Sequence, residues 1–305
     1  ASINGGYKCT VDHHHGPPMK NILIATDLSA NCDRAMARAI VLATQQKAKL
    51  HIVHVPPTYH LAGKKKQALS FREELASTIE DYLTGYALSN KIKSSVTITT
   101  GSNAYEEIIS VGEHVNADLI VMGIHNKVGM IDMFVGTTIE RVIRKGVKPV
   151  LMVRDKPQGN YTNLVAGVDF STSCDNSFHT ALQIAPGAKV NLVHTFDFPD
   201  SSQGHKIEAL SGDVIERLET EKMEQFIKQH QKTLKRFKVP ANQFKYATLR
   251  GPAAKILTKQ VKSNKANLLA IGVNARAGLG HLKLGGVAAQ ILTSPPCDIL
   301  VSRGY

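Results

Sequence analysis

Short apolar runs recur along this chain, each closed by polar residues and each followed by a stretch with helical spacing. The first, NILIATDLS over Asn21–Ser29, has the pattern of a buried parallel strand. Ala35, Ala37, Ala39, Ile40, Leu42 and Ala43 then mark a helix, with Ser29 or Asn31 as its cap. A second strand is predicted over Lys49–Pro57, ended by its prolines. An amphipathic helix from Lys64 to Ser89 follows, with Leu69, Phe71, Leu75, Ile79 and Leu83 on one face. Val96–Gly101 reads as a third strand, and Ile108, Ile109 and Val111 lie on the helix leading to a fourth, Asp118–Ile124. A glycine-bearing loop and a helix come next, then a closing strand over Pro149–Arg154. Strand and helix alternating at these lengths imply a parallel sheet covered on both faces.

The polar stretch Asp155–Asn163, with its Pro and Gly, breaks the pattern as a linker does, and the same order then starts again. NLVAGVDFS (Asn163–Ser171) echoes the first strand, with Asp169 in the place of Asp27. KVNLVHTF (Lys189–Phe196) echoes the second, with His194 for His54, and a charged helix over Lys206–Phe237 matches the first long helix. Tyr246–Gly251, Asn267–Val273 and Asp298–Arg303 repeat the remaining strands. The offset stays near ~145 residues, far above the 20 to 50 of solenoid units. Two copies of one α/β domain are predicted, over residues 19–155 and 163–305, joined by a linker at 156–162. Both closing strands are apolar and invite edge pairing. Pairing them with each other would make a pseudo-dimer inside one chain and leave room for a further dimer of chains.

Length and composition agree with two domains: 305 residues, 43% hydrophobic and 20% charged. Residues 1–18 lack periodicity and carry a histidine triplet, His13–His15, so they read as a disordered leader or tag with Met19 as the natural start. With no apolar run of membrane length and no signal-peptide order, a cytoplasmic protein without a membrane partner is expected. Cys9, Cys32, Cys174 and Cys297 form no CxxC pair and suit reduced thiols better than a disulfide frame or a zinc site. The formal charge of +12 is compatible with anionic partners. With KKK at Lys64–Lys66 the only tight run, it reads as solvated basic surface rather than a nucleic-acid site.

The chemistry concentrates in MGIHNKVGMIDMFVGTTIERV, Met122 to Val142. It is a strand end, a loop and a helix opening on Gly136-Thr137-Thr138. Unpaired N–H groups at such a helix start suit a phosphate, and glycines let backbone approach a ligand. The spacing Gly123-x2-Asn126-x9-Gly136-Thr137 resembles the G-x2-G-x9-G-(S/T) motif of the universal stress protein family. ILIATDLS, LHIVHV, the Asp118–Gly123 strand and the closing PVLMV carry the resemblance further, in order and twice. It implies two tandem domains, each a five-stranded parallel sheet sandwiched by helices, of the adenine nucleotide α-hydrolase type. It also implies ATP or AMP as ligand. Ala25, Thr26 and Asp27 would lie beside adenine and ribose, and Val55 would offer backbone contacts to the base. Met122 and Gly123 would flank the ribose and α-phosphate; Asn126, Gly136, Thr137 and Thr138 would hold phosphates. A Mg ion accompanying ATP would find its carboxylate in Asp27.

The chain departs from that pattern at two places. Asn126 replaces the middle glycine of the first copy, and asparagine tolerates positive φ. The second copy reads Gly272-x2-Ala275-x9-Gly285-Gly286: Ala275 replaces the middle glycine and the terminal hydroxyl is missing. With Asp169, Gly272, Ala275, Gly285 and Gly286, the second copy is a weaker site, with Arg276 and Lys283 as loop cations. Asp27 is either a ligand contact or a helix-capping group. His54 and His194 suit satisfied sheet residues, whereas His125 and His281 lie in or near the loops. There is no Walker A loop, dinucleotide loop, nucleophile elbow or SGGxDS loop. No catalytic residue is assigned. Three functions remain: a stress-response regulatory or signalling module that binds ATP or AMP, mainly in its first copy; a slow ATP hydrolase of the same fold; or a non-nucleotide tandem protein binding nucleic acid or another anion through its basic surface.

Overall fold

In β1 (Asn21–Thr26), alternate side chains enter two different cores, and this period of two builds the molecule. Ile22 and Ile24 join one cluster; Leu23 and Ala25 join the other. The computed structural model describes residues 18–28, 30–56, 73, 74, 77, 80, 81, 92–99, 101, 103–124, 137–197, 212–273 and 284–304. The leader, most of the predicted Lys64–Ser89 helix, Asn126, Gly136, Ala275, His125, His281, Arg276 and Lys283 lie outside the described residues.

The first copy continues with α1 (Ala30–Gln46), β2 (Lys49–His54), β3 (Ser94–Ile98), α2 (Ala104–His114), β4 (Leu119–Gly123), α3 (Thr138–Lys145) and β5 (Val150–Val153). The second copy is β6 (Asn163–Val168), α4 (Thr172–Ile184), β7 (Lys189–Phe196), α5 (Gly212–Arg236), β8 (Phe244–Arg250), α6 (Ala253–Ser263), β9 (Leu268–Val273), α7 (Gly286–Thr293) and β10 (Asp298–Arg303). The ten strands among the described residues form one sheet in the order β3-β2-β1-β4-β5-β10-β9-β6-β7-β8. Within each copy the strands run parallel, as the repeat predicts. The closing strands pair antiparallel, Leu300 opposite Leu151, so the copies meet edge to edge about a pseudo-twofold. α1, α4 and α5 contribute to one core, and α2, α3, α6 and α7 to the other. Each fully buried Leu or Ile of β5 and β10 contributes about 1.5–3 kcal/mol by leaving water, so the joint closes an otherwise exposed apolar edge.

Polar groups lock the joint. Arg154 Nη1 donates to Pro296 O at 2.7 Å, and Arg303 Nη1 donates to Arg144 O at 2.6 Å, each arginine reaching the turn of the opposite copy. Gln46 Nε2 donates to Gln183 O at 2.6 Å, tying α1 to α4. At the centre, Asp298 is 2% exposed and Arg38 4%. Asp298 accepts from Tyr161 Oη (2.6 Å), Arg154 N (2.8 Å) and Asp155 N (3.1 Å), and pairs with Arg38 Nε at 3.4 Å. Arg38 lies 3.9 Å above the Tyr161 ring and donates to Gly159 O at 2.7 Å. The connecting segment is therefore fastened down where its polar composition suggested only a link. Among the described residues no helix is long and apolar enough to cross a membrane.

Candidate functional site

The order β3-β2-β1-β4 places a topological switch beside β1, where the chain leaves towards β2 on one side and β4 on the other. Ligands of open α/β sheets bind outside the carboxyl ends of strands at such a point. Register sets the floor of this crevice. Ala25 is opposite Val53 on β2 and opposite Met122 on β4, so the three form one row. All three are buried in the core that Ile139 of α3 also enters. As part of the crossover between the parallel strands β4 and β5, α3 starts at the carboxyl end of the sheet. Thr137 caps the helix, its Oγ1 accepting from Glu140 N at 3.1 Å, and Thr138 opens it. Gly123 ends β4 in buried backbone, Val55 lies half-buried past β2, and Asp27 is exposed beyond β1. The structure thus brings Ala25, Thr26, Asp27, Val55, Met122, Gly123, Thr137 and Thr138 to one end of the sheet. Met122 contributes a buried wall rather than an exposed contact.

Beyond Asp27 the backbone is strained. Leu28 has φ 63° and Phe170, its counterpart, φ 60°. A side chain in the left-handed region costs roughly 1–2 kcal/mol, and both copies keep it to swing the chain from strand into helix. Thr26 Oγ1 accepts from Leu28 N at 3.0 Å. In the second copy Asp169 Oδ1 accepts from Ser171 N at 3.1 Å, and Ser171 caps α4 by accepting from Cys174 N. Asp169 therefore organises the capping turn without being the cap. Burial first, then Asp27, push the Cys32 thiol up to about 11, and burial raises Cys174 to about 12. Both are poor thiolates beside the strand-end carboxylates.

The histidines resolve into structural roles. His54 Nδ1 donates to Thr26 O at 2.8 Å, and His194 Nδ1 donates to Val168 O at 2.7 Å, each holding the end of the neighbouring strand. His194 Nε2 also faces Glu219 on α5 at 3.0 Å. Sequence reading passed over His51, whose Nε2 donates to Asn21 Oδ1 (3.1 Å) and whose Nδ1 accepts from Ser95 (2.8 Å). Burial and then Lys49 lower its pKa, matching this neutral tautomer. Only the alignment of three strands exposes that cluster; its residues are 30 and 44 positions apart.

The second copy differs at the same place. Gly167 stands where Ala25 does, and Leu257 of α6 lies so close that an added methyl would meet its Cδ1 at 3.1 Å. A Cβ at Gly272 would fall 2.6 Å from Cys174 N, so the first glycine of this motif is required by the approach of α4. Gly285 precedes α7 without a side-chain cap, and among the described residues, chain neighbours and the helix's own backbone apart, no atom lies within 4 Å of the Cβ that Gly285 or Gly286 lacks. The hydroxyl that Thr137 brings to α3 has no counterpart.

Residues 18–154 and again 160–303 match the sequence profile of the Universal stress protein family. A universal stress protein of Methanocaldococcus jannaschii is 25% identical over 158 residues, 45% of this chain and 96% of its own length. A putative universal stress protein of Staphylococcus aureus is 30% identical over 139 residues, 44% of this chain and 84% of its own. Each thus corresponds to a single copy. Over nearly the whole chain, the fold resembles the crystal structure of a universal stress protein from Archaeoglobus fulgidus. The TM-score is 0.68 at 15% identity, covering 93% of this chain and 98% of that one. A putative universal stress protein from Pseudomonas aeruginosa gives 0.64 at 17% identity, with 93% of each chain covered.

Proposed function

The chain belongs to the universal stress protein family as two tandem copies, and from that premise we propose that its first copy binds ATP or AMP. The observation that carries this reading is the row Val53–Ala25–Met122 at the carboxyl ends of β2, β1 and β4, the same end of the sheet at which the Thr137-capped α3 starts. A helix start supplies N–H donors and partial positive charge to a phosphate. The strand ends beyond that buried row supply backbone for a base, as Val55 would, and Asp27 an exposed carboxylate for ribose or for Mg carried by ATP. Asn126 and Gly136 complete the phosphate loop in this reading. Occupancy then acts as a signal: the protein is a stress-response module whose contacts change with bound nucleotide, inside the cell, as a pseudo-dimer that can pair with a second chain. The second copy is the weaker site, as Gly167 under Leu257 and the uncapped Gly285 support.

Calorimetric titration of the whole chain with ATP and AMP, with and without Mg, tests the reading. One nucleotide per chain is expected. Asp27→Ala removes a charged hydrogen-bond partner of about 1.5–3 kcal/mol, a roughly ten- to hundredfold loss of affinity. Two equal sites per chain, or no heat at millimolar nucleotide, overturns it.

A further inference from the structure

The charge of this chain is concentrated in its last quarter. Of 37 basic and 25 acidic side chains, residues 1–224 hold 23 and 24, and residues 225–305 hold 14 and 1. Between Glu224 and Asp298 no acid occurs. The fold carries most of the described cations of this stretch to the end of the sheet closed by β8, those of α5 and α6 on opposite faces, while β9, α7 and β10 lie towards the middle. β8 is the edge strand, α5 packs against β7 and β8, and α6 packs against β6 and β7. Four cations on the second half of α5, Lys245 and Arg250 on β8, and Lys255, Lys259 and Lys262 on α6 are all exposed.

The first copy is an internal comparison. α2 and α6 occupy the same place in the two repeats. α2 carries Glu106, Glu107 and Glu113 with no Lys or Arg, whereas α6 carries three lysines with no acid. On the edge strands, Ser95 opposite His51 corresponds to Lys245 opposite Asn191, and Val96 corresponds to Tyr246, which is 44% exposed. Fold stability explains part of this. Cations suit helix C-termini, which covers Lys262 and Arg236, and lysine on an edge strand deters pairing, which covers Lys245. Neither covers Lys255, in the first turn of α6, where the helix dipole disfavours a cation and where α2 has Glu106 and Glu107. Lys255, Lys259 and Lys262 form a ridge about 10 Å long on one face of the helix.

We propose that this end of the second copy is a binding surface for single-stranded nucleic acid. The cations of the two faces attract, without regard to sequence, a phosphate backbone that wraps the β8 edge, and Tyr246, opposite Leu192 and so on the face that α5 covers, offers a base a stacking surface there. A membrane surface would draw the same cations but needs a contiguous apolar face to bury. Among the described residues, Tyr246 is the one large apolar side chain exposed on α6, β8 or the second half of α5. The surface is separate from the strand-end crevice of the first copy, and it stands whether or not that crevice takes a nucleotide.

Fluorescence anisotropy of the full chain with labelled single-stranded RNA and DNA of about 20 nucleotides, from about 50 to 200 mM salt, tests this. With about six cations engaged, log Kobs falls against log salt with a slope near −4. K255E/K259E/K262E lowers that slope by about 2 and weakens binding at least about tenfold. Its thermal melt stays that of the wild type, because the three side chains are exposed. Y246A weakens binding several-fold and leaves the slope unchanged. K47E/K49E/K93E, which removes three exposed lysines of the first copy, changes affinity far less. Equal losses in both triple variants would reduce the effect to net charge and overturn the proposal. So would absence of binding at about 50 mM salt, or co-sedimentation with phosphatidylcholine vesicles containing about 30% phosphatidylserine when neither nucleic acid binds.

Discussion

Removing the Asp298 carboxylate isolates the Arg38 guanidinium in the joint between the copies. Asp298→Ala takes the acceptor from Tyr161 Oη and from the Arg154 and Asp155 amides, and the counter-charge from an arginine that is 4% exposed. Breaking a buried pair from one side costs about 3–5 kcal/mol, because the remaining charge is left uncompensated in low dielectric. Arg38→Met costs less, since Asp298 keeps three donors. In the double variant the stranded charge is absent, so the two losses do not add, and a coupling of about 1–3 kcal/mol remains. Urea unfolding followed by circular dichroism measures this, the chain having no tryptophan. At a slope of about 3 kcal/mol/M, Asp298→Ala shifts the midpoint down by roughly 1–2 M. Additive losses, or a shift below about 0.3 M, would refute the view that this cluster fastens the copies together.

Two further substitutions test local arguments. Gly272→Ala places a methyl against the backbone of Ser173 and Cys174 and is expected to cost about 1–3 kcal/mol, whereas Gly285→Ala enters open space and should be near neutral in the same unfolding assay. His51 is held neutral by burial and Lys49, so its folded pKa lies below its unfolded value. The stability it contributes is present above the unfolded pKa of about 6.5 and is lost as pH falls through the folded pKa. Melting temperatures at neutral and acid pH should therefore fall further for the wild type than for His51→Gln, and parallel decreases would contradict the assignment.

Much of the fold was legible because the buried strands are short apolar runs and the same order occurs twice. β7 and β10 have the predicted bounds, while β1 ends at Thr26, three residues before the predicted Ser29. The polar tail of that run belongs to the strained turn at Leu28. β3 starts at Ser94, ahead of its β-branched residues, since pairing with β2 and the Ser95–His51 hydrogen bond set its start. That β5 and β10 would pair was expected from two apolar edges, but neither the antiparallel direction nor the Arg38–Tyr161–Asp298 cluster was. Its members lie more than a hundred residues apart in the chain, and local pattern carries no trace of such contacts. At the candidate site, the strand and helix pattern put Ala25 and Asp27 at the end of the first strand and Thr137 at a helix start, while their roles rest on the family resemblance. The burial of Met122 and the use of Gly272 for helix packing required the neighbouring elements.

Native mass spectrometry of the chain purified without added nucleotide tests the central reading most directly, comparing the wild type with Gly136→Val/Thr137→Val and with Gly285→Val. A retained mass of one ATP or AMP per chain, lost in the first variant and kept in the second, is the predicted result. No nucleotide in the wild type, even after adding Mg-ATP, or retention that depends on Gly285 and not on Thr137, would contradict it.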